Sequence, residues 1–274
     1  MTRFLAFPLT RLILIIVLFG VLAKAMTPLA LRMHSLVFNE AMVFVILLAV
    51  TLAVEYGCAQ QTLADVGFPS SGALSGIFSG LLLGAILFSI VIGILALGHC
   101  YTGSFQSWNG LLPALAFFLV GALVEELLFR GVLFRLIEKM TGTWIALVLS
   151  AVLFGAIHIG NPHATLFSSL AIALEAGVLL ALAYVLTRSL WFAIGVHWGW
   201  NLFEGPIFGT QVSGGQFTAT VLHAKMDGPA WLTGGSFGPE AGVVALVVCL
   251  AAALIVGALA IRKQRVIIPM WVKS

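Results

Sequence analysis

Long apolar segments separated by short polar ones dominate this chain. A helix needs about 20 predominantly apolar residues to cross a bilayer, and most of these segments come close to that length. The pattern therefore predicts an all-α, polytopic integral membrane protein with about eight transmembrane helices. Eight apolar runs can be traced: residues 12–23, 36–54, 73–97, 111 to the turn at 141–142, 144–159, 164–186, 189–203 and 243–261.

The first apolar run has a second interpretation. Arg3 and Arg11 precede it, and Ala23-Lys24-Ala25 follows it, which is also the layout of a cleavable signal peptide. Seven membrane helices are then the alternative. We expect a retained first helix, because so many further spans follow it.

Composition excludes several classes of protein. Of the 274 residues, 61% are hydrophobic and only 8% are charged, whereas a soluble domain carries about 25% charged residues. The net charge of +3 is small and dispersed, so we expect the lipid bilayer as a partner and no nucleic acid. The three cysteines, Cys58, Cys100 and Cys249, are isolated and lack metal-binding spacing.

The basic residues predict an orientation in the membrane. Cytoplasmic loops carry an excess of Lys and Arg, which favours a multi-pass protein of the bacterial cytoplasmic membrane with both termini in the cytoplasm. This places Arg135, Lys139, Arg188 and the basic tail at 262–273 inside, and leaves Lys24, Arg32 and Lys225 outside.

Charges interrupt the fourth apolar run within residues 121–134. Glu126 and Arg130 have the i,i+4 spacing at which side chains pair on one helix face, while Glu125 lies about 100° around the helix. An ionised side chain at the bilayer centre costs roughly 2.5–3.5 kcal/mol on insertion scales. These charges therefore either take part in a reaction within the membrane or lie at a helix end that is exposed to water.

Two later runs carry polar residues at comparable depth. His158 follows Phe154 by four residues, and His197 and Asn201 lie one helical turn apart on one face. Buried polar groups require partners, and these residues and the charges of the fourth run can supply partners to one another. We therefore expect a buried polar site within the helix bundle.

The residue types in this site suit hydrolysis of an amide by water. A carboxylate shielded from solvent can act as a general base, an imidazole can orient water or bind metal, and an amide can donate to a developing oxyanion. No Ser or Cys nucleophile lies beside a base, and the chain has neither an HExxH motif nor a YD and GxGD pair. A different class of function stays open: a non-proteolytic scaffold or bacteriocin-immunity protein, or an ion-coupled transporter that uses the carboxylates as a proton relay.

Three motifs, in this order on hydrophobic helices, resemble the CAAX protease and bacteriocin-processing (CPBP) family, which includes the Abi and Rce1-like proteins. The resemblance covers residues 111–203 and implies a CAAX-type intramembrane endopeptidase. The motifs are Glu125-Glu126-x-x-x-Arg130, Phe154-x-x-x-His158 and His197-x-x-x-Asn201.

The resemblance also implies roles for these residues. Glu125 would activate the attacking water and His158 would help to position it. His197 and Asn201 would stabilise the oxyanion. The supporting pair, which would hold the helix and its charges, is Glu126 and Arg130.

The site uses either no cofactor or a zinc ion. Glu125, His158 and His197 are a possible His₂Glu zinc set with a fourth position for water, and equally the acid–base set of a metal-free hydrolase. We favour the metal-free version, because Asn201 is a poor zinc ligand and a good oxyanion donor.

The organisation expected along the chain is N-terminal transmembrane helices at 1–110, a catalytic helix core at 111–203, and a Gly-rich loop with a last transmembrane helix at 204–274. The expected partner is a peptide or protein substrate, with or without a lipid modification.

Overall fold

Eight helices form the bundle in the computed structural model, which describes residues 2–272. Short helices at Thr2–Ala6, Leu63–Val66 and Ala230–Thr233 lie outside the eight. In chain order the eight are α1 (Pro8–Met33), α2 (Leu36–Ala59), α3 (Ala73–Leu97), α4 (Leu111–Thr141), α5 (Thr143–Gly160), α6 (Leu166–Thr187), α7 (Leu190–Leu202) and α8 (Val243–Arg262).

The all-α polytopic fold predicted from the sequence is confirmed. Seven of these helices are long and apolar enough to cross a membrane within the described part of the chain. The eighth, α7, has 13 residues and continues through a five-residue π-helical turn at Phe203–Ile207. Helix α1 is longer than the predicted run at both ends. Lys273 of the predicted basic tail lies outside the described residues.

Three loop regions meet at one end of the bundle, which we call the cavity end. Strand β1 (Tyr101–Phe105) pairs antiparallel with β2 (Leu222–Met226), although the sequence predicts loops there. Five-residue strands separated by more than a hundred residues give no local signal. The Asn161 side chain donates to the carbonyl of Ser213 at 3.0 Å, which ties the α5–α6 turn to the Gly-rich segment.

The opposite end of the bundle, called here the basic end, is held by charge. Arg188 donates to both carboxylate oxygens of Glu138, at 2.6 and 3.1 Å, and also to the carbonyl of Arg265. Deeper in the bundle, Glu55 is fully buried and accepts from Arg11 at 2.7 Å and from Arg135 at 3.1 Å. This triad joins α1, α2 and α4.

Glycines bring α3 and α7 into backbone contact. A Cβ added at Gly84 would lie 2.1 Å from the carbonyl oxygen of Val196, and one at Gly199 would lie 2.2 Å from that of Leu81. Gly80 and Gly195 are equally close to the facing helix. The small-residue spacing in both helices predicts close approach, and the two sets of glycines pack against each other.

Three helices of the bundle contain π-helical turns, which the sequence did not predict. They lie at Leu127–Phe134 in α4, at Ala173–Gly177 in α6 and at Phe203–Ile207 after α7. Each contains a buried ionisable residue, which is Arg130, Glu175 or Glu204. Such turns occur frequently at functional sites.

Candidate active site

A cavity of about 340 Å³ extends from the loops of the cavity end into the bundle. Its wall is built from α4 to α7, the first turn of the Gly-rich segment, and single residues of α2 and α8. The volume lies within the usual range for small-molecule sites, about 300–1,000 Å³. All four residues predicted to be catalytic line it: Glu125, His158, His197 and Asn201.

The two adjacent glutamates of α4 have different surroundings. The side chain of Glu125 is 34% exposed and faces the cavity, whereas that of Glu126 is fully buried. One turn later, Arg130 donates from Nη1 to Glu126 Oε1 at 2.8 Å. The ion pair predicted from the i,i+4 spacing is present, and the 100° offset between the glutamates separates their environments.

Arg130 fixes this part of α4 to two neighbouring helices. Its Nη2 donates to the carbonyls of Ala176 and Gly177 in α6, at 3.0 and 3.3 Å. Its guanidinium also lies 4.5 Å from the centre of the Phe154 ring in α5. The arginine is fully buried, so its charge is balanced by Glu126, by two carbonyls and by an aromatic face.

His197 connects the two glutamates. Its Nδ1–H donates to Glu126 Oε1 at 2.9 Å, and its Nε2 lies 4.0 Å from Glu125 Oε2. The carboxylate of Glu126 thus fixes which ring nitrogen faces the cavity, as the aspartate does in a Ser-His-Asp triad. Arg130, Glu126, His197 and Glu125 form a continuous chain of polar contacts that ends at the cavity wall.

His158 is oriented by its own helix. Its Nδ1–H donates to the carbonyl of Phe154 at 2.7 Å, so its Nε2 is the nitrogen available to the cavity. The ring lies at the final turn of α5, where the helix tightens to a 3₁₀ turn over His158–Gly160. The Phe154 ring stands 4.8 Å from the His158 ring and 6.3 Å from that of His197, so the two imidazoles share one aromatic neighbour.

Asn201 completes the predicted set. It is half-buried, lines the cavity and follows His197 by one turn of α7. Its amide makes no hydrogen bond to any residue in the described part of the chain, so its donors are available to a ligand. The structure therefore brings all four predicted residues to one cavity, from three helices.

Sequence reasoning missed three further carboxylates in the cavity wall. They are Glu40 of α2, Glu175 of α6 and Glu240, which precedes α8. A lone carboxylate in an apolar helix, such as Glu175, is typical of a structural residue, but Glu175 lies in the cavity wall with 2% of its surface exposed. Its isolation in an apolar helix is the sequence signal by which it could have been found. No sequence signal marked Glu240, because it lies in a segment of loop composition.

The positions of the side chains also bear on the zinc alternative. Among residues 2–272, no three His, Cys, Asp or Glu side chains converge closely enough to form a ligand set for a metal ion. Glu125, His158 and His197 share the cavity, but their present arrangement does not fit the His₂Glu geometry. We therefore derive no catalytic step through a metal.

The part of the chain that contains these helices is similar to known proteins. Residues 106–203 match a family model described as "Type II CAAX prenyl endopeptidase Rce1-like". A Bacillus subtilis (strain 168) protein named "Putative membrane peptidase YdiL" is 29% identical over 85 residues. Those residues are 31% of this chain, and the match spans 32% of the relative. No solved structure matches the chain.

Proposed function

Because this chain belongs to the CAAX protease and bacteriocin-processing family, we propose that it is an intramembrane endopeptidase that hydrolyses peptide bonds with a water activated by Glu125. The observation that carries the proposal is the 4.0 Å gap between Glu125 Oε2 and His197 Nε2 in the cavity wall. Glu125 Oε2 has no hydrogen-bond partner among the described residues.

In this proposal the attacking water lies between these two atoms. A water at hydrogen-bond distance from each, about 2.8 Å, completes a triangle on the 4.0 Å base. Glu125 accepts a proton from that water, and the oxygen attacks the carbonyl carbon of the scissile bond. His158 Nε2, held towards the cavity, positions the water or the peptide group.

The oxyanion of the tetrahedral intermediate needs donors. Asn201 offers its uncommitted amide. His197 donates from Nε2 when it is protonated, a form that the adjacent Glu126 carboxylate stabilises. When the C–N bond breaks, Glu125 returns its proton to the leaving amine. This accounts for every proton, because water supplies the hydroxyl of the new acid and the hydrogen of the new amine.

Glu126 and Arg130 act as positioning residues in this proposal. Glu126 holds the His197 ring through Nδ1, and Arg130 holds Glu126 while tying α4 to α6. Neither side chain lines the cavity, so neither is expected to touch the substrate.

The proposed substrate is a peptide or protein that enters the cavity from the cavity end, with or without a lipid modification. We also propose that both termini are cytoplasmic, because most of the basic residues lie at the basic end. With that orientation the cavity end faces the opposite side of the membrane.

The decisive experiment is peptide cleavage by the purified protein in lipid nanodiscs. General acid–base groups contribute roughly 10²–10⁴-fold, so Glu125→Gln should lower kcat by at least about 10²-fold while the protein stays folded. Glu40→Gln is the matched control, because Glu40 is another carboxylate of the same cavity, without a histidine partner within salt-bridge distance. It should retain activity.

Two outcomes would overturn the proposal. Full activity in Glu125→Gln would show that Glu125 is not the catalytic base. An absence of cleavage by the wild type, together with solute uptake into proteoliposomes, would favour the transporter alternative. Adding a chelator to the same assay tests the zinc alternative, and we expect activity to persist.

A further inference from the structure

Among the described residues, every charged side chain that lines the cavity is acidic. Four carboxylates contribute to the wall, and no Lys or Arg does. A cavity with charge of one sign and apolar walls concentrates counter-charge. The four are Glu40, Glu125, Glu175 and Glu240.

Glu175 is the most deeply buried of these four carboxylates. It is 2% exposed, and neither of its carboxylate oxygens accepts a hydrogen bond from a described residue. Burying a carboxylate without a donor is costly, and buried polar groups are normally satisfied. Glu175 lines the cavity, so a ligand there can supply the missing donor.

Glu240 is held in place by hydrogen bonds. Trp200 Nε1 donates to its Oε1 at 3.2 Å, and the backbone and side chain of Ser213 donate to its Oε2 at 2.8 and 2.7 Å. It lines the same cavity as Glu175. Glu240 is therefore fixed by protein donors, and Glu175 has none among the described residues.

The apolar part of the wall suits a long side chain with a charged end. Phe117, Phe118 and Phe217 form an aromatic cluster in the wall, with ring centres 4.8 to 5.9 Å apart. Lysine and arginine bury an apolar stem while placing the charge at a polar site, and aromatic faces tolerate a cation.

We propose that Glu175, supported by Glu240, forms a subsite that binds a basic side chain of the substrate peptide, lysine or arginine, close to the scissile bond. The proposal rests on the proposed endopeptidase function. The substrate's ammonium or guanidinium donates to Glu175, and its stem contacts the aromatic cluster. A substrate group that carries negative charge is disfavoured at the same place.

The test compares peptides that differ only by lysine or norleucine at each position around the cleaved bond. A site that hydrogen-bonds a polar group discriminates strongly against analogues lacking it, so wild-type kcat/KM should favour lysine by at least about tenfold at one position. Glu175→Gln should reduce this ratio to about one, mainly by raising KM for the lysine peptide. Thermal unfolding checks that the variant is folded.

Glu40→Gln is the control for a general field effect, because it removes the same charge from the same cavity. It should keep the preference for lysine. Equal loss of preference in both variants, or retention of it in Glu175→Gln, would overturn the subsite.

Failure of the proposed function gives a different result. If the wild type cleaves neither peptide, the dissociation constants of the same two peptides are measured by calorimetry in nanodiscs. Tighter binding of the lysine peptide that is lost in Glu175→Gln supports the subsite without proteolysis. Equal binding of both peptides by the wild type refutes it.

Discussion

The contact between α3 and α7 gives a prediction whose size can be worked out from the structure. In Gly84→Ala, the new Cβ would lie 2.1 Å from the carbonyl oxygen of Val196 and 2.6 Å from the amide nitrogen of Trp200. Cβ contacts below 3.0 Å are essentially never seen, so the two helices must separate locally by about 1 Å. The opposing atoms are backbone, and a rotamer change cannot relieve the clash.

This displacement acts on the site through His197, the residue after Val196. Overpacking of this kind costs about 1–3 kcal/mol of stability, and a 1 Å misplacement can cost roughly 100-fold in rate. We therefore expect Gly84→Ala to unfold at a lower temperature in nanodiscs and to lose about 100-fold in kcat/KM.

The matched control is Gly93→Ala in the same helix. A Cβ at Gly93 meets nothing within 4 Å, and alanine is favoured over glycine in a helix by about 0.5–1 kcal/mol. Gly93→Ala should therefore unfold at the wild-type temperature or above and keep its activity. If both variants behave alike, close packing of α3 against α7 does not position His197.

Two further predictions concern the basic end. Glu55→Ala leaves Arg11 and Arg135 as buried, unpaired charges, which should cost about 3–5 kcal/mol. Asp227→Ala, a change at an exposed position, should cost far less in the same thermal unfolding, and equal losses would show that the triad is not stabilising. For the orientation, green fluorescent protein fused after residue 274 should fluoresce in bacteria while alkaline phosphatase fused there should be inactive; active phosphatase would reverse the orientation.

The sequence predicted the helices and the meeting of four polar residues for a simple physical reason. In an apolar chain, the helical period fixes which side chains share a face, and the cost of burying polar groups requires them to find partners. Few packing arrangements of the helices satisfy both conditions, so we expected Glu125, His158, His197 and Asn201 to converge. Residues with strong local signals, such as Glu126 and Arg130 at i,i+4, were paired correctly.

The parts that the sequence did not predict depend on long-range contacts. Glu240 reaches the cavity because Trp200 and Ser213 hold it, and the Gly-rich segment gives no periodicity from which to infer this. Tyr101 is a second case. Its hydroxyl donates to the carbonyl of Phe208 at 2.8 Å, and burial raises its pKa to about 12, although it lies between two apolar runs, where no periodic pattern indicates burial.

The π-helical turn in α4 limits how the length of this helix can vary. Such a turn contains about one residue more than the α-helix it replaces, so removing a single residue from Leu127–Phe134 would rewind it as an ordinary α-helix. Everything beyond would then rotate by about 100° relative to Glu125 and Glu126. Arg135 would no longer reach Glu55 while the glutamates stayed in place. The turn therefore sets the angular register between the two ends of α4, and this part of the helix should accept changes of residue more readily than changes of length.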